Sequence, residues 1–165
     1  MTQLVPMSIK GLMLDPVSNS PIVVLKDEDE KFFLPIWVGI FEANAIALQL
    51  ENVTTPRPMT HDLLKNMIGE LDARVTRIVI NDLRDSTFFA QIRLIVNQTG
   101  GDKTLELDAR PSDAIALALR TEAPIFVAQS VLEQAQTISP DEDQDEKMKR
   151  WLEQLGPEEL GKYKM

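Results

Sequence analysis

The stretch DARPSDAIALALR, residues 108–120, places several charged residues directly before an apolar run that has no polar break until Arg120. A helix that is apolar on nearly every side must be buried between neighbours or lie in a contact between subunits. Pro111 suits the first position of such a helix, and Ser112 or Asp113 suits its cap or first turn. The stretch therefore predicts a buried helix that begins near Pro111.

Arg110 is the residue that helix-start chemistry does not explain. A cation beside the positive end of a helix dipole is unfavourable unless a negative group faces it. Two interpretations stay open. In the first, Arg110 pairs with Asp108 or Asp113 and the charges serve only to begin the helix. In the second, a ligand phosphate faces Arg110 and the charges belong to a site.

Runs of β-forming residues, separated by turn formers, lie on both sides of this helix. AIALQL (45–50) nearly repeats AIALAL (114–119), and each follows a strand, a turn and another strand. This pattern favours an internal duplication of a strand–turn–strand–helix unit in blocks 21–50 and 91–119, with chance recurrence of Ala, Ile and Leu as the alternative. The predicted fold class is α+β, a mostly antiparallel sheet with packed helices. Strands are predicted at 4–14, 21–26, 31–38, 74–83, 86–98, 103–110 and 124–128, and helices at 39–52, from Thr60 onward and at 130–136.

Composition narrows the class of protein. The 165 residues suit one domain with an appendage, assigned to 1–136 and to a charged helix or tail at 137–165. No stretch approaches the roughly 18 consecutive apolar residues of a membrane span, and the N-terminus lacks the pattern of a signal peptide. The absence of cysteine fits a reducing compartment, so a cytoplasmic protein without membrane contact is predicted. A net charge of −9 argues against a broadly basic surface for nucleic acid, but it is compatible with an enzyme that meets phosphates through a bound metal.

The second motif is RPMTHDLL, residues 57–64, which contains the sole histidine of the chain, His61. Thr60 is a natural N-cap for a helix, and Asp62 lies in the positively polarised first turn. A neutral imidazole at this place can ligate a metal or move a proton, whereas the alternative is a surface histidine in a first turn. The apolar residues that follow are predicted to face the core: Leu63, Leu64, Met67, Ile68 and Leu71.

Carboxylates stand at the ends of several predicted elements. Each has a simple structural role as a first-turn charge or a turn former. Brought together, they supply the oxygen ligands that Mg²⁺ or Mn²⁺ takes. Spacing alone does not show whether they meet. They are Glu42, Asp82, Asp85 and Asp108.

An ordered series of motifs runs through the chain: Trp37-Val38-Gly39, Glu42-Ala43, Ala45-Ile46-Ala47, Arg57-Pro58, Thr60-His61-Asp62-Leu63-Leu64, Phe88, Ala90, the nine residues from Asp108 to Ala116, and Pro124-Ile125. With this series the chain resembles the bifunctional nuclease (BFN, DUF151) domain family over roughly residues 5 to 135. The resemblance implies an α+β domain that forms a homo-oligomer. It also implies metal-supported cleavage of both DNA and RNA, an activity of some plant members.

On the first hypothesis the protein is a metal-dependent nuclease that hydrolyses phosphodiester bonds of DNA, RNA or both, with the two charged motifs facing one pocket. The cation, Mg²⁺ or Mn²⁺, activates water and stabilises the pentacoordinate phosphate. Its predicted ligands are Glu42, Asp62, Asp108 and Asp113. The predicted catalytic residues are His61, as general base or ligand, Asp62, Arg57, Arg110 and Asp113. The residues predicted to hold the substrate are Arg57, Arg110 and Ser112.

On the second hypothesis the protein is a non-enzymatic regulatory or assembly module. Arg57, Asp62, Arg110 and Asp113 then form a buried salt-bridge network that fixes the helix starts and a contact between subunits. A third hypothesis is a protein that binds a small phosphate compound without hydrolysing it. The arrangement of the two motifs decides among them: a cleft between them favours a site, and close pairing without a cleft favours scaffolding.

Overall fold

The structure, a computed structural model that describes residues 3–135, has an α+β fold, as predicted. The strands β1 to β7 span Leu4–Leu14, Pro21–Asp27, Phe33–Trp37, Ala73–Arg84, Thr87–Val96, Lys103–Ala109 and Ile125–Ala128. The helices α1 to α4 span Ile40–Leu50, Thr60–Glu70, Pro111–Thr121 and Gln129–Gln134. Each element predicted for this part of the chain is present, with its ends shifted by a few residues at most. The predicted charged tail at 137–165 lies outside the described residues.

The seven strands form one sheet in the order β3-β2-β1-β7-β4-β5-β6. Neighbouring strands are antiparallel, except that β7 runs parallel to β4. A hairpin followed by a helix occurs twice, as β2–β3–α1 and as β5–β6–α3, in the order that the repeated string predicts. A shared order of elements does not show a common origin, so the internal duplication stays a prediction.

The helices cover one face of the sheet. Alternate strand residues such as Val23, Ile36 and Ile78 point to this face and pack with α1, α3 and α4 in one apolar cluster. The opposite face carries a small buried cluster around Phe33 at the β3 end. At the β4–β6 end that face is polar, because the strands present charged and amide side chains there. We call this region the polar face; it consists of Arg77, Asn81, Gln91, Arg93, Glu106 and Asp108.

Helix α3 is the buried helix that the opening stretch predicts. It packs against α1, α2, β4 and β5, and most of its residues are buried. Pro111 is its first residue, as predicted, and Arg110 takes the N-cap position with an extended backbone. The neighbours of α3 therefore come from its own chain, and no subunit contact is needed to bury it.

Helix α2 contradicts one prediction. Leu63, Leu64 and Met67 are 53%, 40% and 52% exposed instead of facing the core, and the buried residue of this helix is His61. The reason lies in the contacts with α3, which are made by His61 and Asp62 at the start of α2. With these two side chains turned inward, the face that carries the leucines and Met67 points outward. Within residues 3–135 no helix is long and apolar enough to cross a bilayer.

Candidate active site

The first turns of α1, α2 and α3 meet at a continuous chain of four side chains. His61 Nε2 lies 2.9 Å from Asp113 Oδ1. The other oxygen of Asp113, Oδ2, accepts a hydrogen bond from Arg110 Nε at 3.0 Å and lies 3.0 Å from Arg110 Nη2. Arg110 Nη1 donates to Glu42 Oε1 at 3.1 Å. The two charged motifs of the sequence therefore meet, and we call His61, Asp113, Arg110 and Glu42 the charged quartet.

The quartet explains why a cation stands beside the positive end of α3. The hydrogen bond and charge of Asp113, with a further contribution from Glu42, raise the pKa of Arg110 above its usual value. Arg110 therefore carries a positive charge in the folded protein. Its side chain is nevertheless 67% exposed, so the guanidinium is held in place by two carboxylates and still faces solvent.

A cavity of about 320 Å³ opens beside the quartet, and all four members line it. Glu42 and Arg110 also line a neighbouring cavity of about 330 Å³, which extends toward Phe88. Gly39 makes room for the Glu42 carboxylate, because a Cβ atom at position 39 would collide with Glu42 Oε2. The quartet is therefore not closed off by packing. Two of its members, Glu42 and Arg110, stand between two open cavities of the size that small ligand groups occupy.

Asn44 is a site residue that the sequence interpretation missed. It is 5% exposed, lines the same cavity as His61 and Asp113, and its Oδ1 has no hydrogen-bond partner among residues 3–135. A buried amide without a partner is costly. Asn44 is therefore an unsatisfied polar residue in the wall of this cavity. The available signal was weak: Asn44 is a polar residue inside the apolar helix string NAIALQL.

A second ion pair, between Arg120 of α3 and Asp62 of α2, lies next to the quartet. Arg120 is 4% exposed at its side chain, and its Nε donates to Asp62 Oδ1 at 2.8 Å. Its two terminal nitrogens donate to the carbonyl oxygens of Ala116 at 2.9 Å and Ala45 at 3.0 Å. Arg120 thereby joins α1, α2 and α3 at one buried point, so its role is structural. Sequence interpretation noted this residue only as the end of an apolar run.

Asp62 is engaged on both oxygens, because its Oδ2 accepts the Met59 backbone N–H at 2.9 Å. Burial by itself raises the pKa of Asp62, but the Met59 N–H and the Arg120 guanidinium outweigh burial and leave the pKa below its usual value. Asp62 was predicted to be a catalytic residue and a metal ligand. The structure places it in the helix-start scaffold, outside the lining of the cavity beside His61.

Asp62→Asn is expected to change how stability depends on pH. A carboxyl whose pKa is lowered by folding stabilises the fold above its unfolded pKa of about 3.9, and this stabilisation is lost as pH falls through the folded pKa. The variant should start from a lower free energy of unfolding at neutral pH and lose less of it below about pH 4. Denaturant unfolding, followed by circular dichroism from about pH 6 to about pH 2, measures how the free energy of unfolding of each protein changes with pH. Parallel curves for the two proteins would assign the acid sensitivity to other carboxyls.

Of the remaining predicted site residues, Arg57 and Asp108 lie apart from the quartet, whereas Ser112 lines a cavity together with two of its members. Arg57 is exposed in the loop before α2 and lines neither cavity. Ser112 is 6% exposed and lines the neighbouring cavity beside Phe88. Asp108 pairs with Gln91 across β6 and β5, which puts it on the polar face, away from the helices. Side chains alternate between the faces of a strand, so Asp108 and the helix-side residues are separated by the sheet.

The described residues do not fit a metal centre. No group of three or more His, Asp or Glu side chains between residues 3 and 135 is placed to hold an ion. The two carboxylates that do line the cavity, Glu42 and Asp113, already face the cation Arg110 at 3.1 Å and 3.0 Å. An ion at that point would have to displace the guanidinium. Mg²⁺ or Mn²⁺ as a cofactor stays a prediction from the sequence.

Comparison with known proteins shows the family of the chain. A sequence model described as "Bifunctional nuclease domain" matches residues 23–140, well over half of the chain. The chain belongs to the bifunctional nuclease domain family. The matched range contains the whole charged quartet, Asn44 and the Asp62–Arg120 pair.

Relatives of this bifunctional nuclease domain protein occur in bacteria and plants. An uncharacterized protein of Mycobacterium tuberculosis (strain H37Rv) is 35% identical over 163 residues, 92% of this chain and 95% of that protein. Bifunctional nuclease 1 of Arabidopsis thaliana is 31% identical over 120 residues, 72% of this chain and 36% of the plant protein. Bifunctional nuclease 1 of Oryza sativa subsp. indica is 31% identical over 114 residues, 68% of this chain and 34% of the plant protein. The chain therefore spans about a third of the plant proteins.

Proposed function

We propose that this protein is a nuclease that hydrolyses phosphodiester bonds of DNA, RNA or both in the cavity beside the charged quartet. One observation carries the proposal: a histidine–aspartate pair and a solvent-facing arginine line the same open cavity in a member of a nuclease family. Phosphodiester hydrolysis needs a group that accepts a proton from water and a cation that binds the phosphate oxygens. The quartet supplies one of each.

His61 is the proposed general base, and Asp113 positions it. An ionised carboxylate can only accept hydrogen bonds, so the Nε2 atom that contacts Asp113 Oδ1 carries the proton. The lone pair of the neutral ring then lies on Nδ1 and can take a proton from water. Asp113 also stabilises the imidazolium that forms, as the aspartate does in serine hydrolase triads. Burial of the ring, which is 10% exposed at its side chain, fixes its orientation.

Arg110 is the proposed phosphate-binding residue. Three of the five N–H donors of a guanidinium face carboxylates here, and the two that remain can donate to phosphate oxygens. Negative charge grows on those oxygens in the transition state, and a fixed guanidinium stabilises it. Glu42 and Asp113 hold Arg110 from two sides, so little side-chain freedom is lost on binding. Asn44 is a further donor or acceptor at the same cavity wall.

A cleavage assay with the full-length chain tests the function. Single-stranded and double-stranded DNA and RNA are incubated with the protein in Mg²⁺, in Mn²⁺ and in a chelator. Cleavage of one of these substrates that disappears in Arg110→Gln is the expected result, and the chelator arm tests the prediction of metal support separately. An absence of cleavage in every condition would reject the nuclease and leave a binding or assembly role.

A second candidate function, an assembly module, is favoured by one observation. Arg120, Asp62 and the carbonyl oxygens of Ala45 and Ala116 form a buried network that joins three helices without lining the cavity. Asp62 and Arg120, which belong to the two charged motifs, therefore stabilise the packing of the helices under either function. Substitution of Arg110, which is exposed, distinguishes the two functions. It should leave the fold of an assembly module intact, but it should abolish the cleavage activity of a nuclease.

We also propose that the chain forms a homo-oligomer through the α2 apolar face, which consists of Leu63, Leu64, Met67 and Leu71. An apolar patch on one helix face commonly marks a protein–protein contact. Replacing Leu63 and Met67 by lysine should convert the oligomer to a monomer in sedimentation velocity at micromolar concentration. The matched control, Asn66→Lys, adds the same charge to an exposed position of the same helix and should leave the oligomer unchanged. A wild-type protein that sediments as a monomer would contradict the proposal.

A further inference from the structure

A cavity of about 310 Å³ lies on the polar face of the sheet, opposite the helices. Two arginines, Arg77 of β4 and Arg93 of β5, line it together with Asn81, Gln91 and Glu106. These side chains project from three neighbouring strands, which hold them more firmly than loops would. The net charge of the chain is −9, so two cations in one cavity run against the overall composition.

Arg77 and Arg93 stand directly opposite each other in the antiparallel β4–β5 pair. Opposed residues of such a pair have Cβ atoms about 5 Å apart, and like charges in this position destabilise the sheet. Compensation by carboxylates is slight: Glu106 lies 3.9 Å from Arg93, at the outer limit of an ion pair. Arg77 makes no ion pair with any residue of 3–135, although its guanidinium lies 5.9 Å from the ring centre of Phe126.

Two polar side-chain atoms of residues that line this cavity are buried without a hydrogen-bond partner in the described part of the chain. They are Arg77 Nε and Asn81 Oδ1. A buried donor without a partner destabilises the fold, and more so when the group is charged. The amide of Asn81 can be turned by half a rotation, so that it presents either its oxygen or its nitrogen to the cavity. The cavity therefore contains unused hydrogen-bonding capacity next to an unbalanced positive charge.

The backbone is shaped to place these side chains. The β4–β5 register shifts once between Val75 and Arg77 and again between Ile80 and Asp82. Each shift is a β-bulge, a feature that redirects side chains and often lies beside functional sites. Val75 and Ile78 both pack against the core, and the first bulge between them is what sends Arg77 to the polar face. Asn81 follows the core residue Ile80 and so points to the polar face by alternation, and the second bulge returns Leu83 to the core side.

We propose that this cavity binds a phosphate group between Arg77 and Arg93. A phosphate bridging the two guanidinium groups converts a repulsive pair into two charge-assisted contacts. Asn81 and Gln91 add neutral hydrogen bonds from the same wall. The phosphate belongs either to a free phosphate compound or to the backbone of a polynucleotide. The proposal does not depend on the nuclease activity, because the sheet separates this cavity from the charged quartet.

Thermal unfolding and calorimetric titration of the full-length chain test the proposal, with inorganic phosphate and a short single-stranded DNA as probes. Sodium chloride at equal ionic strength controls for screening. Both probes are also titrated into Arg110→Gln, which lacks the proposed phosphate-binding residue of the quartet. Binding that remains in this variant is then binding at a different site. Saturable binding of either probe that persists in Arg110→Gln is expected. Binding of phosphate alone assigns a free phosphate compound, and binding of the DNA, with or without binding of phosphate, assigns a polynucleotide backbone.

Substitutions in this cavity should change phosphate affinity in opposite directions, depending on the charge that is removed. Arg77→Gln and Arg93→Gln should each weaken phosphate binding about tenfold or more, while Glu106→Gln should tighten it because it removes the one carboxylate of the cavity lining. Arg74→Gln removes an exposed arginine of the same strand that does not line the cavity, and should change binding little. Without phosphate, Arg77→Gln should melt no lower than wild type, since a like-charge contact is relieved.

Two results would overturn the proposal. The first is that neither probe binds to Arg110→Gln, which would mean that the polar-face cavity does not bind phosphate. The second is that Arg77→Gln binds phosphate as wild type does while its melting temperature falls, which would make Arg77 a structural residue. Neither result bears on cleavage at the quartet, so the nuclease proposal stands or fails on its own assay.

Discussion

Arg120→Ala is expected to lower the free energy of unfolding by about 3 kcal/mol, the largest stability effect of a single substitution at this site. The substitution removes three hydrogen bonds from a side chain that is 4% exposed, and it leaves the Asp62 carboxylate without its cation. It also leaves a cavity between α1, α2 and α3. The side chain of Asp62 is about one third exposed. The loss of stability should therefore lie at the lower end of the range for buried ion pairs. Urea unfolding at neutral pH measures it.

The matched control is Arg110→Ala, since Arg110 also pairs with carboxylates of neighbouring helices but is 67% exposed. It should cost less than about 1 kcal/mol. Arg120→Ala combined with Asp62→Asn should cost less than the sum of the two single changes, because both remove one interaction. A loss of similar size for Arg120→Ala and Arg110→Ala would contradict the division into a structural pair and a solvent-facing quartet.

His61→Gln and Asp113→Asn are each expected to reduce cleavage by about 10² to 10⁴-fold. Glutamine at position 61 can still donate to Asp113, but it cannot accept a proton from water. Asparagine at position 113 no longer holds the imidazole in the required tautomer or stabilises its charged form. The double variant should be little worse than either single one, because the two residues act as one unit. Initial cleavage rates on the preferred substrate at saturating concentration measure these effects.

Asp82→Asn serves as the control for loss of a carboxylate. Asp82 pairs with Arg84 on the surface at 2.9 Å and lines none of the cavities described above, so its loss should leave cleavage unchanged. Circular dichroism melting of each variant separates lost chemistry from lost folding. If His61→Gln and Asp113→Asn cleave within a few-fold of wild type while remaining folded, another group must accept the proton.

Local sequence patterns predicted the elements of this fold well. β-Branched and aromatic runs mark the strands, and Pro111 marks the start of α3 because its fixed φ and missing N–H suit that position. The same reasoning failed for α2, where the spacing of Leu63 and Met67 indicated a core-facing stripe. Periodicity identifies which residues share a helix face, but it does not decide whether that face turns to the core or to a partner.

For the site, the sequence alone determined its chemical parts. The chain has one histidine, two charged motifs at helix starts and a cation at Arg110 that demanded a negative neighbour. Tertiary structure decided which parts act together. Glu42, 68 positions from Arg110 along the chain, reaches it only because α1 packs beside α3. Asp108, two positions away, cannot reach the quartet because alternation along β6 sends it to the other face.

The same physical reason separates Asp62 from its neighbour His61. Both stand at the start of α2, yet one bonds the buried Arg120 and the other Asp113. Adjacent helix residues point about 100° apart, so they meet different partners. The spacing of residues along the chain sets the relative directions of side chains within one helix or strand, so the sequence alone determined those directions. Which partner each side chain meets depends on packing between elements that are far apart in sequence. Only the tertiary structure decided those partners.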